Sequence, residues 1–153
     1  MEVNTQPKLS FHGVDIVNVT FEAKAPRGRQ MDVEIECEPT VFLNKKKRDT
    51  FSIVMEVTVS NENYFLLSLR AIGKFKLSED ITEDIKAKFL TANAPAIMFP
   101  YIRSFITTFT ANLGNVVGTL TIPPQFFKGD IPIITPAVSY THLRAHETRG
   151  NLV

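Results

Sequence analysis

The stretch Phe51–Leu77, FSIVMEVTVSNENYFLLSLRAIGKFKL, decides the fold. Apolar side chains stand at every second position, Phe51, Ile53, Met55, Val57 and Val59. The polar turn Asn61-Glu62-Asn63 follows, and Phe65, Leu67, Leu69, Ala71 and Phe75 then resume on a single face. A period of two sends successive side chains to opposite sides of an extended chain, so this stretch predicts a β-hairpin with one apolar face. Working outward, MDVEIECE alternates completely, with Met31, Val33, Ile35 and Cys37 on one side and Asp32, Glu34, Glu36 and Glu38 on the other. VDIVNVTFEA, residues 14–23, slips phase between Ile16 and Val17, which predicts a bulge or a bend. Four antiparallel strands with one polar face need a cover for the other.

The second half of the chain supplies that cover. SEDITEDIKAKFL opens with Ser78 and acidic residues suited to a helix N-terminus, and Ile81, Ile85 and Phe89 recur at i, i+4 and i+8. Asn93-Ala94-Pro95 predicts the end of one helix and the start of another. In APAIMFPYIRSFITTFTANLG the row Ile97, Tyr101, Phe105, Phe109 and Leu113 is continuous, flanked by Met98, Ile102 and Ile106, until Asn112 to Gly114 stops the helix. So wide an apolar band exceeds what one small sheet covers, and a second subunit is expected on the rest. Pro100 in the second turn predicts a bend, and ITTFT taken alone has the composition of a strand. Beyond Gly114 the chain is proline-punctuated and reads as extended. The expected class is α+β, a four-stranded antiparallel sheet with helices packed on one face.

The last fifteen residues stand apart. SYTHLRAHET back-translates into a string that resembles a sequencing-library adapter, so residues 139–153 read as a non-native tail and 1–138 as a single domain. His142 and His146 have the i, i+4 spacing of two metal ligands on one helical face, but no third ligand shares that face, and no metal site is expected. Without the tail, 15 basic and 15 acidic side chains leave no net charge, which argues against a general affinity for nucleic acid or anionic lipid. No apolar run approaches the ~18 residues that span a bilayer. MEVNTQPKLSFHG lacks a basic start and an apolar core, so a cytoplasmic protein is expected. Cys37, in phase with apolar neighbours, reads as a core thiol.

Enzymatic readings find little to stand on. The chain has no glycine-rich phosphate loop, no histidine beside a plausible nucleophile and no convergent carboxylate cluster; His12 with nearby Asp15 is the one conceivable pair. Neither a catalytic residue nor a cofactor is expected. Gly73 and Gly114 read as a strand irregularity and a helix stop. The carboxylates of Asp32, Glu34, Glu36 and Glu38 follow one another about 7 Å apart on one strand face, as a solvated stripe or a dock for a cationic partner. PTVFLNKKKRD, residues 39–49, reads as a loop whose Val41, Phe42 and Leu43 sit beside four consecutive cations. Exposed apolar groups next to positive charge would suit an extended segment of an unfolded protein, the alternative being that Phe42 packs beneath its own loop. Lys45, Lys46, Lys47 and Arg48 without interleaved aromatics read as a solvated turn rather than a nucleic-acid contact.

Ala94-Pro95-Ala96-Ile97-Met98-Phe99-Pro100-Tyr101-Ile102-Arg103, followed by SFITTFTANLG and TLTIPPQFF, closely resembles the hallmark region of the SecB protein-export chaperones. FEAKAP at 21–26 is similar to that family's first-strand ending, and 51–77 to its third and fourth strands, so the resemblance runs from about residue 9 to 127. It implies an ATP-independent holdase: a homo-oligomer, a tetramer of two dimers, that holds unfolded preproteins in apolar grooves and hands them to the SecA motor. Phe99, Pro100, Tyr101 and Arg103 would then set the helix bend and the subunit contacts, Val41, Phe42 and Leu43 would touch clients, and Glu22 would touch the motor. Asn18 and Ser68 stand where the resemblance places acids, and the family's C-terminal helix has no counterpart here, so SecA coupling is less firmly implied than client holding. SecB-like chaperones dedicated to toxin–antitoxin systems are the alternative role.

Overall fold

A computed structural model of the chain describes residues 8–25, 32–47, 49–123 and 133–134. Four long antiparallel strands, β1 (Leu9–Ala23), β2 (Glu34–Leu43), β3 (Thr50–Asn61) and β4 (Phe65–Leu77), form the sheet. A two-residue β5 (Ile133–Ile134) adds in parallel beside Val41 and Phe42 of β2, so the order is β1-β4-β3-β2-β5. The hairpin read from the alternation is in place, with Phe51 opposite Phe75, Met55 opposite Ala71 and Val59 opposite Leu67. These side chains, with Ile53, Val57, Phe65 and Leu69, are buried, while their neighbours in sequence lie on the other face.

Two strands are longer than the alternation suggests. β1 begins at Leu9 rather than Val14, because two bulges, not one, interrupt its phase. The first lies between Phe11 and Val14, where Gly13 has φ +106°, and the second between Val17 and Thr20, where Asn18 has φ +54°. Glycine and asparagine are the residues that tolerate this left-handed region. β2 continues through Pro39 to Leu43, so Val41, Phe42 and Leu43 belong to a strand and not to a loop. Proline is permitted there because, along most of its length, the outer edge of β2 carries no ladder among the described residues.

The cover is one nearly unbroken helical run. α1 (Glu83–Lys88) passes through a π-helical turn, Phe89–Asn93, into α2 (Ala94–Ala111). The expected start at Ser78 is corrected to Thr82, whose hydroxyl caps the N–H of Ile85 at 3.4 Å. Ser78 instead closes the sheet end: its N–H donates to the carbonyl of Lys8, and its hydroxyl accepts the Lys8 N–H, each at 2.9 Å. The expected break at Asn93-Ala94-Pro95 is also corrected, since Asn93 is helical (φ −72°, ψ −47°) and caps nothing. The N–H of Ala94 reaches back to the carbonyl of Phe89, an i−5 bond, and this wider turn takes up Pro95, which has no N–H to give. Pro100 lies within α2 without ending it.

α2 lies across the apolar face over β4 and β1. Met98, Phe99, Ile102 and Ile106 are the large apolar side chains it buries. The row Ile97–Tyr101–Phe105–Phe109, expected as the main apolar stripe, is rotated to the rim, with Tyr101 54% and Ile97 37% exposed. Gly73 explains how closely the helix approaches. A Cβ there would stand 2.9 Å from the Met98 sulfur and 2.9 Å from the Phe75 ring, so this glycine is a contact point for the helix rather than a strand irregularity.

Candidate polypeptide-binding surfaces

Three surfaces follow from this arrangement. The first is an aromatic seam where β1, at the free edge of the sheet, meets the rim of α2. Phe11 links the core ring of Phe75 (centroids 5.4 Å) to exposed Tyr101 (5.2 Å). Phe21 touches Phe65 (6.3 Å) and Phe109 (5.9 Å), and Phe109 stacks on Phe105 (5.7 Å). Phe11 and Phe21 were not singled out by the alternation because the bulges at Gly13 and Asn18 break its phase. The seam is apolar, partly exposed, and bordered by an edge of β1 that carries no ladder among the described residues, which offers side-chain area and backbone groups to another chain.

The second surface is the line where the segment after α2 runs along it. Arg103 Nε donates to the Ile122 carbonyl at 2.7 Å, Thr107 Oγ1 to the Leu120 carbonyl at 2.8 Å, and the Leu120 N–H to Thr110 Oγ1 at 3.0 Å. Val117 and Ile122 are buried under this clasp. The β-like composition of ITTFT has its reason here: two threonines of an otherwise poor helix supply hydrogen bonds that hold an extended segment. Arg103 is thus a backbone clamp within the subunit, and Thr107 and Thr110 act with it. Phe99 is buried core, Pro100 is exposed, and Tyr101 belongs to the seam.

The third surface is the open face of the sheet. Val41, whose expected role was client contact, points the other way and is fully buried, and Leu43 shares that core side opposite Phe51. Phe42 alone of the three faces the open side, half-buried, opposite Ser52. Glu22 is exposed on this face beside Leu66, with Ser68 opposite Thr20 two residues along. Arg70 and Glu56 form a part-buried ion pair at 2.8 Å in its middle. Cys37 is on the core side, its sulfur 3.8 Å from that of Met55. Burial, and then the negative charge of Glu38, push its thiol up to about 12.

That shift carries a pH dependence. The folded state keeps the thiol protonated while an unfolded thiol ionises near 9.0, so stability is intact below pH 9 and falls as pH rises from there toward 12. Cys37→Ala should flatten that fall in denaturant titrations at pH 8 and pH 10.5. Wild type should also resist alkylation at pH 8 until denatured. Rapid labelling of the folded chain at pH 8 would contradict the burial.

No group of three or more metal-ligating side chains occurs among the described residues. His12 and Asp15 lie on β1 and are exposed. His142, His146 and the tail 139–153 fall outside the described residues. No helix among the described residues is long and apolar enough to cross a membrane. An antiparallel sheet backed by one long helix, with aromatic surface left at its edge, defines an α+β subunit that offers apolar area to another chain. The model of the SecB family, preprotein translocase subunit SecB, matches residues 2–121, and the chain belongs to that family. It is 32% identical over 129 residues to the protein-export protein SecB of Anaplasma marginale, covering 71% of this chain and 73% of that one. It is 28% identical over 131 residues to an uncharacterized protein of Methanocaldococcus jannaschii, covering 81% and 83%. A SecB-like chaperone of Mycobacterium tuberculosis, solved with a ChAD peptide from the HigA1 antitoxin, has the same fold. Its TM-score is 0.62 at 14% identity, over 77% of this chain and 88% of that one.

Proposed function

We propose that this SecB-like chaperone is an ATP-independent holdase that binds unfolded preproteins and keeps them competent for export, acting in the cytoplasm as a homo-oligomer without enzymatic activity. Membership of the SecB family over residues 2–121 carries the reading. The seam of Phe11, Tyr101, Phe21, Phe109 and Phe105 supports it physically: apolar area of this kind is buried reversibly by a client or by a neighbouring subunit, with specificity left loose. The free β1 edge beside the seam favours assembly there, and a tetramer built of two dimers fits the domain 1–138. Phe42 is the open-face residue that remains a client-contact candidate, since Val41 is enclosed. Glu22, exposed beside Leu66, is the candidate contact for SecA, and Asn18 in its bulge and Ser68 make that acidic surface sparser.

A second reading, a chaperone dedicated to one folded partner such as a toxin–antitoxin component, is favoured by the peptide-bound SecB-like neighbour. One experiment separates the two. The full chain, without ATP, is mixed with a chemically unfolded protein, and aggregation is followed by light scattering with oligomer mass measured on the same sample. Suppression at near-stoichiometric amounts, weakened by Tyr101→Ser, supports the holdase. A well-folded oligomer that leaves aggregation unchanged would overturn it in favour of the dedicated partner.

A further inference from the structure

The open face of the sheet is graded in a way that the holdase reading does not use. Strand register sorts its side chains into rows about 7 Å apart along the strands. At one end stand Glu34, Ser60, Leu66 and Glu22, and next to them Glu36, Thr58, Ser68 and Thr20. Glu38, Glu56, Arg70 and Val17 follow, then an apolar waist of Thr40, Val54 and Ile72 ending at Asp15. Past the waist come Phe42, Ser52 and Lys74, then Thr50 and Lys76, and finally the turn that carries Lys45, Lys46 and Lys47. Most acids of this face thus stand at one end and most cations at the other.

The cationic turn is held in shape. Asn44 Oδ1 accepts the N–H groups of Lys46 (2.9 Å) and Lys47 (3.3 Å), and the N–H and hydroxyl of Thr50 both donate to the Lys47 carbonyl. Among the described residues none of the three lysines has an ion-pair partner, and all three are exposed. Glu34, Glu36 and Glu38 are likewise exposed and without ion pairs there. The complement of each half of the face is therefore the other half.

We infer that the open sheet face is a contact surface for a second copy of this chain, laid on it with its strands reversed. The symmetry operation is a two-fold axis between the sheets, perpendicular to the strands and passing through the Thr40–Val54–Ile72 row. It sets the waist on itself, with Asp15 of the two copies meeting at its end, each paired with its own Lys74. It lays the Lys45–Lys47 turn of each copy over Glu34 and Glu36 of the other, because β2 falls on β2. The cations that approach one another, Lys74 and Arg70 on β4, are already held by Asp15 at 3.1 Å and Glu56 at 2.8 Å. Face-to-face sheets prefer strand directions within about 30° of each other, which this reversal permits. An axis along the strands would instead lay the cationic end of each copy over the cationic end of the other, with acids likewise facing acids. The contact is separate from the aromatic seam on the helix side, it competes with a client at Phe42 and with a motor at Glu22 for the same face, and it is electrostatic, so salt screens it.

Sedimentation of the full chain at several concentrations, in ~20 mM and ~500 mM salt, reads the contact against a Debye length that shrinks from about 20 Å to about 4 Å. An association step that weakens about tenfold or more at the higher salt is expected. K45E/K46E/K47E and E34K/E36K/E38K should each abolish that step at low salt, with far-UV circular dichroism showing both folded. The chain that carries all six changes has the same net charge as wild type and restores the complementarity, so it should associate again. Tyr101→Lys should leave the salt-sensitive step intact. Salt-independent mass, undiminished association of either triple variant, or a six-fold variant that stays dissociated would each overturn the proposal, whatever the aggregation assay shows.

Discussion

Phe99→Ala is expected to lower the unfolding free energy by about 3–5 kcal/mol, whereas Tyr101→Ala, two residues along the same helix, should change it by no more than about 1.5 kcal/mol. Phe99 is 1% exposed, within the cluster that α2 buries with Met98, Ile102 and Ile106. Deleting its ring removes transfer energy and leaves a cavity that a close-packed core only partly fills. Tyr101 meets the Phe11 ring and keeps about half of its surface in water, so its truncation should show in association or client binding before it shows in stability. Denaturant titration of both variants at equal protein concentration tests the pair, since a change in midpoint at unchanged slope reports stability alone. A larger loss for Tyr101→Ala than for Phe99→Ala would mean that the helix is rotated from the register described, with Tyr101 and not Phe99 inside.

That register marks where sequence reading stops. The strands of 51–77 were legible because one face is buried and one is wet, which imprints a period of two on every residue. The helix carries apolar residues on two adjoining rows, and composition does not say which of them meets the sheet. Ile97–Tyr101–Phe105–Phe109 is the more continuous row, yet Met98–Ile102–Ile106 lies inside, because Gly73 opens room for Met98. β1 was half legible for a related reason: Gly13 and Asn18 each add a residue to the strand, and a period read through two insertions loses phase. Pro39 reads as a strand end, but its strand lies at the edge of the long-stranded sheet, where a missing N–H is tolerated.

The candidate site was less legible than the fold. Apolar residues beside a basic run suggest an exposed recognition loop, but Val41 and Leu43 obey the alternation of β2 and turn inward, leaving only Phe42 on the open side. The string around Phe99 and Arg103 pointed to the family. Arg103 reaches a backbone carbonyl 19 residues away, a partner that no spacing rule could name. The seam is a property of two elements distant in sequence, β1 and α2, and becomes visible only when the sheet edge and the helix rim are brought together. Charge was legible residue by residue, yet its grading along the open face depends on strand register, which sequence leaves open.

Gly73→Val should be the most damaging single substitution in the sheet that adds atoms rather than removing them, at about 1–3 kcal/mol for overpacking or more. Valine suits an extended strand by propensity, so on sequence grounds alone the change should stabilise β4. Packing opposes it. The first added carbon would lie 2.9 Å from the Met98 sulfur, 3.2 Å from its methyl and 2.9 Å from the Phe75 ring. Phe75 cannot easily swing aside, because it stacks on Phe51 at 5.2 Å and touches Phe11 at 5.4 Å. Met98 is fully buried, so where its terminal atoms find no room to turn aside, the strain pushes α2 outward. Lifting it would disturb Tyr101 on Phe11, and the seam should therefore loosen along with the core. Gly73→Ala tests the same clash with one carbon, and Met98→Ala in the Gly73→Val background should recover part of the loss by vacating the space. A Gly73→Val chain as stable as wild type would show that the helix does not rest on β4 at this point, and the seam would then need another support.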